Sequence, residues 1–368
     1  MKYREYYLDG LRGWAAIIVV IFHMSWEIFG NYFPIYRHYL LRFFLDGKLA
    51  VYLFFIISGQ SLATSYLRTS NNYYFARMVT VRYLRLSLPI FFSCFLVYIL
   101  MKFGFTYGNE AGSIVSRSDW LGIFIKFEPE FWRVIKYSFS DVFFKHSTET
   151  SYNPFLWTMS IELAGSFFLF ATLPILKYLK NRIAFALSAA LYLFLSDSIY
   201  AMFFIGLLFA LLRVNPHFIQ KIRFKNFLGL LILLLVVTYD NNLWRMHGNY
   251  DDYTNRVMSI MAISLLFAIL LSQKIQKIFT MSLSKFLGKI SFALYLVQFP
   301  VIMSYTSYLI LFFNEKYSYI SFAQANFIIF SSVGLSVIFA IPFASLEVLL
   351  INKINDLVGR YLLTYEGA

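Results

Sequence analysis

The sequence predicts an all-α membrane protein, a polytopic transmembrane bundle of about ten helices with both termini cytoplasmic. Composition, the spacing of apolar stretches and the placement of basic residues predict it. Hydrophobic residues make up 60% of the 368 positions and charged residues only 14%, against about 25% charged in an ordinary soluble domain. With a mean hydropathy of +0.64, the chain could not cover its surface in water, so a bilayer must solvate much of it. Aromatics at 21% suit lipid-facing helices and interfacial belts.

The expected spans run near 11–29, 49–67, 88–105, 155–176, 183–195, 199–212, 227–239, 256–271, 290–313 and 322–351. The first lacks a small-residue cleavage site and carries a histidine, so it reads as a retained helix and not a signal peptide. The fifth to eighth are short for a bilayer. Arg68, Arg77, Arg82 and Arg85, then Lys177, Lys180 and Arg182, then Lys274, Lys277, Lys285 and Lys289 all fall on connections expected on one side. The positive-inside rule makes that side the cytoplasm. Residues 106–153 mix charges with Trp120, Phe131, Trp132 and Phe143, as an extracytoplasmic or interfacial segment would. A single membrane domain over 1–368 is expected, without repeats or linkers. The one cysteine, Cys94, excludes an intramolecular disulfide and a Cys-based metal site. A net charge of +13 is matched by anionic lipid headgroups, so membrane lipids and not nucleic acid are the expected partners.

Polar residues inside apolar spans carry the functional signal, because they are expensive in lipid. In the first span Arg12 and His23 stand eleven residues apart. At 100° per residue that is three turns plus about 20°, so they share a face and lie roughly 16 Å apart along the axis. Asp9 and Glu27 extend this stripe. A neutral imidazole at such depth suits a general base or proton shuttle; a histidine satisfied by a helix–helix hydrogen bond is the plainer alternative. Glu27, one turn on, either orients the ring or is an interfacial charge.

After the second span, residues 71–88 read NNYYFARMVTVRYLRLSL and end at Pro89. In a helix Arg82 and Arg85 are neighbours, and Arg77 lies about 80° from Arg85, so all three can point one way. Guanidinium forks bind two phosphate oxygens at once. A juxtamembrane helix touching lipid headgroups would show the same pattern.

Taken together, these residues resemble the acyltransferase-3 family of membrane acyltransferases. The opening Tyr7-Leu8-Asp9-Gly10-Leu11-Arg12-Gly13 with His23 is similar to its first helix. Phe54-Phe55-Ile56-Ile57-Ser58-Gly59 resembles the second-helix motif, and the run from Phe75 to Pro89 the basic segment after it. Leu156-Trp157-Thr158-Met159-Ser160-Ile161-Glu162 resembles the Trp-x-x-x-x-Glu helix start, and Leu287-Gly288-Lys289-Ile290-Ser291 opens a match to the late-helix signature. The family often has histidine where this chain has Gln298 and an acidic residue where it has Leu163, so the resemblance implies no proton-transfer role for either position. No counterpart of the SGNH hydrolase-like domain fused to some members is expected.

The resemblance implies a transferase that O-acylates a surface polysaccharide or lipid-linked glycan, with acetyl-CoA as the acyl donor in the bacterial plasma membrane. Arg12, Arg77, Arg82 and Arg85 would then bind acyl-CoA, and His23 would be catalytic, as base or as a transient acyl carrier. Glu162 would orient substrate or His23, or pair with an intramembrane basic group. Trp157 would stack on a sugar or anchor at the interface. Ser58 and Ser160 lack a base nearby in sequence and suit helix packing better than nucleophilic attack. Since a thioester is already activated, no metal is expected. The rival reading is a transporter or flippase of a surface-glycan pathway, which would also place charge at mid-membrane.

Overall fold

The computed structural model describes residues 5–69, 71–214, 222, 224–246 and 253–361, and among them there is no strand. Among the described residues, eleven of the longer helices organise the bundle. They are α1 (Tyr6–Phe22), α2 (Gly47–Thr69), α3 (Asn72–Lys102), α4 (Thr158–Thr172), α5 (Arg182–Leu195), α6 (Ala201–Val214), α7 (Lys225–Met246), α8 (Tyr253–Leu271), α9 (Ser282–Val301), α10 (Ser307–Tyr317) and α11 (Phe322–Tyr361). Among the described residues, six stretches are long and apolar enough to cross a membrane: Tyr6–Glu27, Gly47–Thr69, Asn72–Lys102, Pro154–Tyr178, Ser282–Tyr317 and Phe322–Tyr361. Shorter apolar helices over Arg182–Leu195, Ala201–Val214, Lys225–Thr238 and Asn255–Leu271 fall where the four short spans were expected. Length and composition thus give six candidate crossings among the described residues, with the four shorter helices standing where the rest of the expected ten or so fall. The chain ends, on which the expected orientation partly turns, lie in part outside the described residues.

Asparagines set several helix starts. Asn71 caps α3 by accepting from the backbone N–H groups of Tyr73 and Tyr74, and Asn181 caps α5 by accepting from Ala184. From Asn71 the chain runs as one helix through Pro89 to Lys102, so the basic segment and the third span are continuous. α11 likewise continues past Pro342 for 40 residues. Proline inside such helices is tolerated where neighbouring elements satisfy the freed backbone groups.

α1 belongs to two packed layers. Its first half, through Leu8 and Leu11, packs with Leu53 and Ile57 of α2, Phe203 of α6 and Met261 of α8. Its second half, through Ala16 and Val20, and Met24 in the turn that follows pack with Ile90 of α3, Leu294 and Val297 of α9 and Ile328 of α11. What lets α1 approach α9 is missing side chains. A Cβ on Gly10 would overlap the Phe279 carbonyl, one on Gly13 the backbone of Leu287 and Gly288, and one on Gly288 the backbone of Asp9. Gly59 of α2 and Gly206 of α6 form a second such crossing. Small residues that admit backbone contact are how helices associate where lipid offers no hydrophobic drive.

Gly288→Val is therefore expected to lower the thermal unfolding midpoint in detergent, by about 1–3 kcal/mol or more of overpacking. Gly334→Ala, where a Cβ meets nothing, is expected to leave the midpoint unchanged or raise it by up to roughly 1 kcal/mol. Equal effects of the two would contradict the crossing.

Candidate functional site

His23 sits where α1 loosens into a π turn over His23–Glu27, a distortion that recurs at functional sites. Its Nδ1 meets Gln298 Oε1 of α9 at 3.1 Å, and the Gln298 Nε2 donates to the Tyr295 carbonyl at 3.1 Å. A second π turn, Ile302–Thr306, follows Gln298 and Pro300 on the partner helix. The imidazole lies against the Phe155 ring, centroids 4.0 Å apart and planes 16° from parallel, with Trp120 at 5.9 Å and Phe22 at 5.4 Å. The three rings come from three parts of the chain, and they give His23 an aromatic cage with one polar contact, to Gln298.

The cage is built through a proline. Pro300 has no N–H to give the Leu296 carbonyl one turn earlier, so that carbonyl is free for other donors. Ser93 Oγ of α3 takes it at 2.8 Å and Asn153 Nδ2 at 3.3 Å. Asn153, fully buried, also receives the Phe155 N–H on its side-chain oxygen at 3.2 Å and so starts the short 3-10 helix Pro154–Trp157. Tyr295 completes the anchorage: its hydroxyl donates to the Phe155 carbonyl, and Thr158 lies 2.8 Å from it. Residues 106–153, expected as a peripheral segment, deliver Trp120 to the cage. Arg117, 5% exposed, steadies that tryptophan with its guanidinium 5.3 Å from the ring, while bonding Asp119 and Glu27.

Two roles are expected of Glu27, and its described bonds do not include one to the His23 ring. The π turn shifts the register after His23, and the Glu27 carboxylate pairs with Arg117 at 2.9 Å, while His23 bonds Gln298. Gln298, to which the resemblance gave no role, is the polar neighbour of His23. The two ends of the first-span face also bond differently: Arg12 donates to Ser61 of α2 at 3.3 Å and pairs with Asp9 at 3.6 Å.

The three arginines of α3 divide. Arg82 turns inward, 9% exposed, and bonds the Glu162 carboxylate and the hydroxyls of Ser166 and Ser58. Ser58 donates to the same carboxylate. Glu162, Ser58 and Arg82 thus form one largely buried knot joining α2, α3 and α4, and none of their described bonds reaches His23. Arg77 bonds Asn355 near the end of α11 at 3.2 Å. Arg85 and Arg12 both interact electrostatically with Glu347 of α11, an acid absent from the sequence reading. Arg12, Arg77 and Arg85 remain as the cationic set toward one end of the bundle. Trp157 is 46% exposed, and Ser160 donates to its carbonyl at 3.0 Å. Ser160 also lines an apolar cavity of about 400 Å³ with Tyr83, Phe143, Leu163 and Phe167.

A family model for an acyltransferase domain matches residues 5–343. The chain belongs to the acyltransferase-3 family. A curated relative, the O-acetyltransferase PaAT-1 of Phomopsis amygdali, is 25% identical over 82% of this chain and 73% of its own length. No solved structure matches the chain. The activity of this family member is acyl transfer, carried by a helical membrane protein.

The Arg82 knot yields a stability test. Arg82→Met alone strands a largely buried carboxylate and is expected to cost up to about 3–5 kcal/mol, whereas Arg82→Met with Glu162→Met is expected to recover most of it. Thermal unfolding of the two purified variants measures the difference.

Proposed function

We propose that this acyltransferase moves an acetyl group from cytoplasmic acetyl-CoA to a hydroxyl of a surface polysaccharide or lipid-linked glycan, working as a multi-pass protein of the bacterial plasma membrane. The observation that carries the reading is His23, held by one amide contact in an aromatic cage, roughly 16 Å along α1 from Arg12. A pantetheine arm is a long, neutral chain suited to such a gap, with its phosphates near the arginines and its thioester near the imidazole. That the PaAT-1 relative is an O-acetyltransferase supports acetyl and oxygen as transferred group and acceptor atom. About ten spans with both termini in the cytoplasm remain the proposed topology; it puts Arg12, Arg77 and Arg85 on the donor side.

In the proposed reaction, His23 removes the proton of the acceptor hydroxyl as its oxygen attacks the thioester carbonyl. The carbon–sulfur bond then breaks and the CoA thiolate leaves with that proton, giving an O-acetyl ester and free CoA. Arg77 and Arg85 hold phosphate, Arg12 guards the passage toward His23, and Glu347 sets the charge balance among them. Glu162 and Ser58 serve by fixing Arg82 between the helices, which keeps α3 and its outer arginines in register. Asp9 holds Arg12. Trp157 and Ser160 serve the acceptor side, Ser160 at the edge of the apolar cavity. The transporter reading gives way to membership of an acyltransferase family.

With labelled acetyl-CoA in nanodiscs, His23→Ala is expected to lower acetyl transfer or hydrolysis by about 10²–10⁴-fold, the usual contribution of a general base. A wild-type rate would overturn the assignment. Arg77→Ala and Arg85→Ala are expected to weaken CoA binding, more at low salt than at high salt. Unchanged affinity in both variants would return these side chains to lipid headgroups.

A further inference from the structure

We infer that Gln298 is a positioning residue that fixes the tautomer of His23, keeping the proton on Nδ1 and leaving Nε2 as the nitrogen that meets substrate. The inference rests on His23 as the base and names the atom that acts. Gln298 is fully buried, and its amide has two distinct ends, an oxygen that only accepts and an NH2 that only donates. The Tyr295 carbonyl, 3.1 Å from one end, can only accept, so the NH2 must face it. Turning the amide over would set two oxygens against each other there. Oε1 therefore faces His23, and because it only accepts, the Nδ1 at 3.1 Å must carry the hydrogen. In a neutral imidazole the second nitrogen is then the one with a free lone pair.

The surroundings lock this choice. Exchanging the two nitrogens would require the ring to turn over while stacked on Phe155 at 4.0 Å, and Phe155 is itself tied by its carbonyl to Tyr295. One face of α9 thus holds both constraints, with Tyr295 gripping the stacking partner and Gln298 the ring nitrogen, three residues apart. During transfer Nε2 takes the hydroxyl proton, and the imidazolium keeps its Nδ1–H on the Gln298 oxygen. Nε2 then releases the same proton to the CoA thiolate.

Two measurements separate this inference from the reading beneath it. The chain has five histidines, so nitrogen NMR of histidine-labelled protein, with His23→Ala as the subtraction, isolates the His23 signals. Wild type is expected to show a protonated Nδ1 and a bare Nε2 at neutral pH, and Gln298→Leu to lose that preference. A wild-type His23 protonated on Nε2 overturns the inference whatever the activity. In kinetics, Gln298→Leu is expected to lower kcat about tenfold or more with KM for acetyl-CoA unchanged. Gln298→Glu, which keeps an acceptor oxygen at Nδ1, is expected to recover most of the loss. If His23→Ala abolishes turnover while Gln298→Leu retains full kcat, the positioning role fails and the base stands. If His23→Ala keeps full turnover, the base reading fails, and the tautomer is still decided by the spectrum.

Discussion

Where Gly13 and Gly288 cross, the backbones of α1 and α9 come into direct contact, and one turn earlier Gly10 lies against the Phe279 carbonyl just before α9. At that separation a histidine on one helix reaches an amide on the other, and an aromatic cage can close over both. A larger residue at any of the three positions would push the helices apart and open the 3.1 Å contact between His23 and Gln298. Lipid supplies no hydrophobic force to bring helices together, so the contact has to come from packing and hydrogen bonds. The glycines of the opening motif and of the late-helix motif are thus two halves of one joint.

Distortion is placed with equal economy. Each helix of the joint is regular up to the reacting region and then opens into a π turn, at His23 in α1 and at Ile302 after α9. Pro300 adds a vacant carbonyl, at Leu296, which Asn153 and Ser93 fill. That single exchange ties the long 106–153 connection to the bundle and lowers Phe155 onto the imidazole. Backbone irregularity inside a membrane is tolerated where protein groups satisfy what it frees, and here the freed group anchors the cage.

Much of this was legible in the sequence. Apolar stretches located the six long helices and the four shorter ones, and the cost of charge in lipid singled out His23 and Arg12. What could not be read were contacts between distant parts of the chain. His23 and Gln298 lie 275 residues apart, and no periodicity links them. Trp120 comes from the irregular 106–153 stretch and Phe155 from the very start of an expected span, so nothing in either pattern signals their place over the imidazole. Helical spacing put Arg77, Arg82 and Arg85 on one side but could not say that Glu162 would draw Arg82 inward. The partner of Glu27 was equally hidden, since Arg117 lies 90 residues further along the chain. Glu347, on a helix read simply as the last span, gave no hint of facing Arg85 and Arg12.

The central claim is that a donor entering among the arginines presents its thioester to the histidine at the joint. A cryo-electron microscopy structure of the protein in nanodiscs with a non-hydrolysable acetyl-CoA analogue tests it most directly. The account predicts phosphate density between Arg77 and Arg85 and the acyl carbon within about 3–3.5 Å of an oxygen site beside His23 Nε2, the separation of a near-attack geometry. An analogue bound with its acyl group away from the Phe155–Trp120 cage, or on a face of the bundle without those arginines, would contradict it.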